Sequence, residues 1–121
     1  MNKVHHIKGK LLLGEGMASF SEAVVNVFLL DVSRMDASSK VIAKQSIRGI
    51  SHTKGMKKEY LLFDLNAENL DNKIDYTIRV HISLHNSDEV VVGDYITTES
   101  FPISPADNNP DPITVTVQEV R

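Results

Sequence analysis

The stretch from Asp75 to His85 reads DYTIRVHISLH, and its alternation of apolar and polar residues decides the fold class. Successive side chains of a β-strand point to opposite faces, so this alternation predicts a strand with one buried face. The face predicted to be buried carries Tyr76, Ile78, Val80, Ile82 and Leu84. The opposite face, which we expect to meet solvent, carries Thr77, Arg79, His81, Ser83 and His85.

Similar short runs recur along the chain between turn-forming residues, whereas helical periodicity is nearly absent. The run Glu22–Val32 is apolar on both faces, which is typical of a central strand. The other predicted strands cover Val4–Leu13, Lys40–Ile47, Lys58–Leu65, Val90–Thr98 and Ile113–Val120. Short strands at regular spacing favour a sandwich or a barrel. We therefore predict an all-β fold, a seven- to eight-stranded antiparallel β-sandwich of Ig-like or transthyretin-like type, as a single domain over residues 1–121.

The composition excludes several classes of function. The 121 residues carry a net charge of −3, which argues against a nucleic-acid partner because such proteins need a basic face to meet phosphates. The chain contains no cysteine, so disulfides, thiolate catalysis and thiolate metal sites are excluded for the sequence as given. Its apolar runs are too short for a membrane span, and we expect a soluble protein.

Carboxylates near the turn after the Asp75–His85 strand suggest a cation site. Asp88, Glu89 and Asp94 weakly resemble the alternating oxygen ligands of a calcium loop. The competing interpretation is that this segment simply forms a turn, since Asn86, Ser87 and Asp88 are turn-forming residues.

Catalytic motifs are missing from the sequence. There is no Gly-x-Ser-x-Gly, no glycine-rich phosphate loop and no His-Glu-x-x-His. We therefore predict a protein that is not an enzyme and that uses no cofactor.

Two segments resemble a known family. The stretch from Ala23 to Ala37 is similar to the characteristic segment of the YbaY/YscW family, an alanine and an alternating strand followed by Asp-x-Ser-x-x-Asp-Ala. The stretch Gly93–Pro102 resembles the closing motif of that family. The resemblance implies a bacterial envelope lipoprotein whose fold is a compact β-sandwich. It also implies a link to pilotins, which bind a secretin subunit of a type III secretion system and help it reach the outer membrane.

These observations lead to one leading hypothesis of function and two alternatives. The leading hypothesis is a non-enzymatic binding or chaperone-like protein of the YbaY/YscW type. It would present a sheet face or edge to an extended peptide or an envelope protein, with the row Thr77, Arg79, His81, Ser83 and His85 as a candidate face. The alternatives are a small-ligand or cation-binding domain that uses the Asp88–Asp94 loop, and a structural subunit of a homo-oligomer. We expect the periplasm or envelope as its location if a leader was trimmed, and the cytoplasm otherwise.

Overall fold

The computed structural model describes residues 4–14, 16–33, 40–55, 57–71, 73–103 and 113–121. Within these ranges the chain forms nine strands and no helix, which confirms the predicted all-β class. The strands are β1 Val4–Leu13, β2 Phe20–Asp31, β3 Lys40–His52, β4 Glu59–Glu68, β5 Tyr76–Ser83, β6 Tyr95–Ile96, β7 Pro102–Ile103, β8 Ile113–Val115 and β9 Gln118–Glu119. Across the same residues, no helix has the length and apolar character that a membrane span needs.

Two sheets form the predicted sandwich. The smaller sheet has the strand order β4-β1-β8, and the larger has the order β3-β2-β5-β6-β9, with β7 also pairing with β5. All pairings are antiparallel except that of β1 with β8, which is parallel. The antiparallel prediction therefore holds for every described pair but this one.

The core lies between the two sheets and follows the alternation of the sequence. On β1 the buried residues Ile7, Gly9, Leu11 and Leu13 alternate with the exposed Lys8 and the half-buried Lys10 and Leu12. On β5 the buried residues Ile78, Val80 and Ile82 occupy the face that the sequence predicts to be buried. Burying one such aliphatic side chain contributes roughly 1.5–3 kcal/mol, so these rows drive the two sheets together.

A close approach between β1 and β4 explains one glycine in the first strand. Gly9 lies opposite Phe63 in the β1–β4 register. The Phe63 ring occupies the space where a side chain would stand, since a Cβ on Gly9 would lie 2.7 Å from its Cε1 atom. Because no real Cβ atom tolerates such a contact, glycine lets the large ring enter the core at this position.

The structure corrects the bounds of several predicted strands, and three of the differences are large or affect pairing. The predicted strand Val90–Thr98 is wrong for most of its length, because only Tyr95–Ile96 pairs; Gly93 turns the chain with a φ of +99° just before it. The predicted strand Ile113–Val120 is divided into β8 and β9, which pair in different sheets. Strand β3 continues past Ile47 to His52, with a φ of +70° at Gly49. Part of the Ala23–Ala37 segment, residues 34–37, lies outside the described residues.

Candidate functional site

The polar row of β5 is only partly available to a partner. Arg79 and His85 are exposed, and Thr77 is half-buried. His81 and Ser83 retain only 3% and 1% of their exposure, so the expectation that the whole row meets solvent is wrong. Both side chains do point away from the core, but the segment after β5 folds back over them, and the backbone N–H of Ser87 donates to Ser83 Oγ at 3.0 Å.

The segment after β5, from Leu84 to Asp94, is held in place by the Asp94 side chain. We call this segment the 84–94 loop. The Asp94 carboxylate is fully buried and accepts three hydrogen bonds. The donors are His81 Nε2 at 2.8 Å, the backbone N–H of Leu84 at 3.1 Å and the backbone N–H of Val91 at 3.1 Å. Because Leu84 begins the loop and Val91 lies near its end, one carboxylate ties both ends to β5.

The environment of Asp94 favours its ionised form. Burial alone raises the pKa of a carboxyl group, because the charged form loses its hydration. At Asp94 the hydrogen bonds from His81, Leu84 and Val91, together with the charge of His81, outweigh burial and hold the pKa below its usual value. The Asp94 carboxylate is therefore a structural anion at neutral pH.

The same geometry counts against the predicted cation site. Both carboxylate oxygens of Asp94 already accept hydrogen bonds from the protein, while Asp88 and Glu89 are exposed. Among the described residues, no group of three or more histidine, aspartate or glutamate side chains is placed to hold a metal ion. The prediction of a cation site from Asp88, Glu89 and Asp94 therefore has no support in the geometry.

A cavity of about 700 Å³ opens at another part of the surface. It lies between residues 16–18 and the chain end, and Lys54, Tyr95 and Glu119 contribute to its walls. The backbone N–H of Ala18 donates to the Tyr95 hydroxyl at 3.0 Å across one side. None of Asp88, Glu89 and Asp94 lines it, so this cavity is not the small-ligand site that the sequence predicted.

The two longest free edges of the sandwich face each other. Strand β3 ends the larger sheet and β4 ends the smaller one, and neither has a further paired strand among the described residues. One hydrogen bond connects the two strands, in which the backbone N–H of Asp64 donates to the side-chain Oε1 of Gln45 at 3.1 Å. We call this junction of β3 and β4 the seam. Unpaired strand edges are templates for pairing with another chain, which makes the seam the strongest candidate for a binding site.

Apolar side chains stand exposed beside the seam. Leu62 and Tyr60 on β4 keep 68% and 49% of their exposure, and Val41 on β3 is also exposed. The ammonium group of Lys10 lies 4.8 Å from the centre of the Tyr60 ring. Large apolar side chains clustered on a strand next to an unpaired edge mark a surface suited to contact with a partner.

Comparisons with known proteins identify the family. The model for "Type III secretion system lipoprotein chaperone (YscW)" matches residues 2–98, which is most of the chain. The chain belongs to the YscW family. The match runs from β1 to beyond β6 and includes both strands of the seam, which confirms the resemblance seen in the sequence. No curated protein sequence matches the chain.

A solved structure shares the fold of this YscW-family chain. It is described as an alternative pilotin from the type II secretion system of Vibrio cholerae. The two chains are 26% identical, with a TM-score of 0.67. The alignment covers 97% of this chain and 99% of that one, so the sandwich is shared from end to end.

Sequence reasoning missed the seam because exposure on an edge depends on which strands pair. The run Lys58–Leu65 predicts a strand but does not show that its outer edge has no partner. One signal was present in the charges, since Lys54, Lys57 and Lys58 follow β3 without an intervening acidic residue.

Proposed function

We propose that this chain is a non-enzymatic, chaperone-like binding protein of the pilotin type. Its partner would be an extended segment of a secretin or another envelope protein, bound along the seam. The observation that carries the proposal is the pair of facing edges, β3 with 13 residues and β4 with 10, that have no further paired strand in the described chain. Membership of the YscW family and the likeness to a pilotin structure support the same role.

The seam supplies the two kinds of contact that recognition of an extended peptide needs. Main-chain groups on an unpaired edge give affinity, and side chains beside the edge give specificity. Leu62 and Tyr60 supply apolar contact next to β4, and burying an exposed leucine contributes roughly 1.5–3 kcal/mol. The hydrogen bond between Gln45 and Asp64 joins two uncharged groups at an exposed site. A hydrogen bond from Asp64 N–H to an incoming chain can therefore replace it at little cost.

A photo-crosslinking amino acid placed at the seam tests this function. We would introduce it at Leu62 or Val41, and at the exposed Thr114 on β8 as a matched control. The probes are overlapping peptides that cover the secretins encoded in the source genome. The proposal expects crosslinks from the two seam positions to the same peptides and none from the control. Equal crosslinking at all three positions, or none at any, would contradict it.

The exposed members of the β5 row, Arg79 and His85, form a second candidate docking surface. The same crosslinker at Arg79 tests the candidate face Thr77, Arg79, His81, Ser83 and His85 directly. If the peptides crosslink at Arg79 but not at Leu62, the binding site is the β5 row and not the seam.

A second copy of the chain is the other candidate occupant of the seam. Crosslinks between two copies, with a dimer in light scattering, would favour the homo-oligomer over the peptide-binding role.

A further inference from the structure

The charges of the chain are distributed very unevenly. Residues 40–58 contain six of the 13 lysine and arginine residues and none of the 16 aspartate and glutamate residues. The rest of the chain therefore carries nine more acidic than basic side chains. The six cations of this basic segment are Lys40, Lys44, Arg48, Lys54, Lys57 and Lys58.

The basic segment coincides with one side of the seam. Lys40, Lys44 and Arg48 lie on β3, and the other three cations lie in the connection to β4. All six side chains are exposed, and none forms an ion pair within the described part of the chain. Lys44 lies 5.5 Å from the centre of the Phe28 ring, and Arg48 donates to Asn86 Oδ1 at 3.3 Å.

The exposed acidic residues of the seam all lie on β4, at Glu59, Asp64 and Glu68, whereas β3 carries none. Asp31 lies opposite Lys40 in the β2–β3 register, so the charge at Lys40 is partly balanced. On β4, Asp64 lies 3.8 Å from His6 Nδ1 in an exposed pair. The unbalanced positive potential is therefore strongest from Lys44 to Lys58, along β3 and its connection to β4.

We infer that the partner segment bound at the seam is acidic as well as extended, with apolar residues alternating with aspartate or glutamate. This inference rests on the proposed function and adds the chemistry of the partner. Its acidic side chains face the basic segment, and its apolar side chains contact Tyr60 and Leu62. Charge complementarity of this kind selects the partner and speeds its capture more than it adds affinity.

A protein segment fits this surface better than a polyanion such as DNA or an anionic membrane. Those partners would extend beyond the basic segment and meet the remainder of the molecule, which carries an excess of nine acidic groups. A single extended chain contacts only the seam, where unpaired main-chain groups and apolar side chains add contacts that phosphates do not use.

The test compares peptides that differ only in charge. One peptide alternates valine with glutamate and is long enough to span β3; its counterparts carry glutamine or lysine in place of glutamate. We would measure binding by fluorescence anisotropy at low and high salt. We expect the glutamate peptide to bind about tenfold more tightly than the glutamine peptide at low salt, and the difference to shrink at high salt.

Charge reversal locates the contact. The variant Lys44→Glu/Lys57→Glu/Lys58→Glu should lose about tenfold in affinity for the glutamate peptide. The control Lys8→Glu/Lys73→Glu/Arg121→Glu has the same net charge but is altered at exposed sites outside the basic segment, so it should lose less than twofold. Equal urea midpoints for the three proteins would show that both variants fold.

Three outcomes would overturn the inference. The first is equal affinity for the glutamate and glutamine peptides, and the second is an equal loss of peptide affinity in the two variants. The third is that phosphatidylglycerol vesicles or oligo-dT bind with the same dependence on Lys44, Lys57 and Lys58. The proposed function fails separately. If the glutamine peptide crosslinks at Leu62 as well as the acidic one, the seam still binds peptides and only the acidic preference is lost. If no peptide crosslinks there, the proposed function itself is wrong.

Discussion

Replacing Asp94 with alanine should destabilise the protein severely. The substitution removes the acceptor of three hydrogen bonds at a fully buried position. His81 Nε2 then stays buried without a partner, which costs about 1–3 kcal/mol. The backbone N–H groups of Leu84 and Val91 are only part-buried, so water replaces the carboxylate at a cost of about 0.5–1.5 kcal/mol each.

The expected loss is about 2–6 kcal/mol in the free energy of unfolding. A domain of 121 residues has a total free energy of unfolding of roughly 6–18 kcal/mol, so this one side chain contributes a large share of the stability. Asp94→Asn keeps the shape and one acceptor oxygen and should lose less. It also presents an amide N–H₂ group toward a donor, so it does not restore the wild-type stability.

Urea unfolding as a function of pH measures the effect. The folded-state pKa of Asp94 lies below its unfolded value of about 3.9, so the carboxylate contributes its full stabilisation above that pH. The contribution is lost as the pH falls through the folded-state pKa. The stability gap between wild type and Asp94→Ala should therefore be smaller at acid pH than at pH 7. A gap below about 1 kcal/mol at pH 7, or one that is independent of pH, would refute the reasoning.

Three further outcomes follow from the geometry. Gly9→Ala should cost about 1–3 kcal/mol in urea unfolding because the new methyl group meets the Phe63 ring, and Gly9→Ala/Phe63→Leu should recover part of that loss; equal losses would contradict the contact. Ser46→Ala should cost about 1–2 kcal/mol, because the hydroxyl donates at 2.7 Å to Oδ1 of the buried Asn26; an unchanged urea midpoint would disprove it. Millimolar calcium or zinc should leave the melting temperature unchanged, because Asp94 has no free oxygen to offer; a rise would restore the cation site.

The strands that carry the core could be predicted because their signal is local. The bounds of β1 match the prediction at both ends, and the alternation on β5 assigns Ile78, Val80 and Ile82 to the core correctly. Period-two alternation reports which face a residue occupies, and a one-residue shift would move the whole apolar row to the wrong face.

The misses arise where distant parts of the chain decide the outcome. Val90, Val91 and Val92 are strong strand formers, yet no strand forms because Val91 N–H is held by the Asp94 carboxylate and Gly93 N–H by Val120 O. The side chain of His81 faces outward as predicted, but outward is not exposed once the 84–94 loop covers it. The seam could not be predicted from the local sequence either, because a free edge exists only where no other strand pairs.

The pairing of β1 has a consequence for how the chain folds. This first strand lies in the middle of its sheet, where Gly9 pairs with Phe63, 54 residues later, and with Ile113, 104 residues later. Contacts of such sequence separation require large loops to close first, and proteins that depend on them fold slowly. During synthesis β1 therefore cannot complete its pairing with β4 before residue 68 has been made, and its other neighbour, β8, is made later still. The smaller sheet is therefore completed late, and until then both edges of β1 are unpaired, like the edges that we propose bind a partner at the seam.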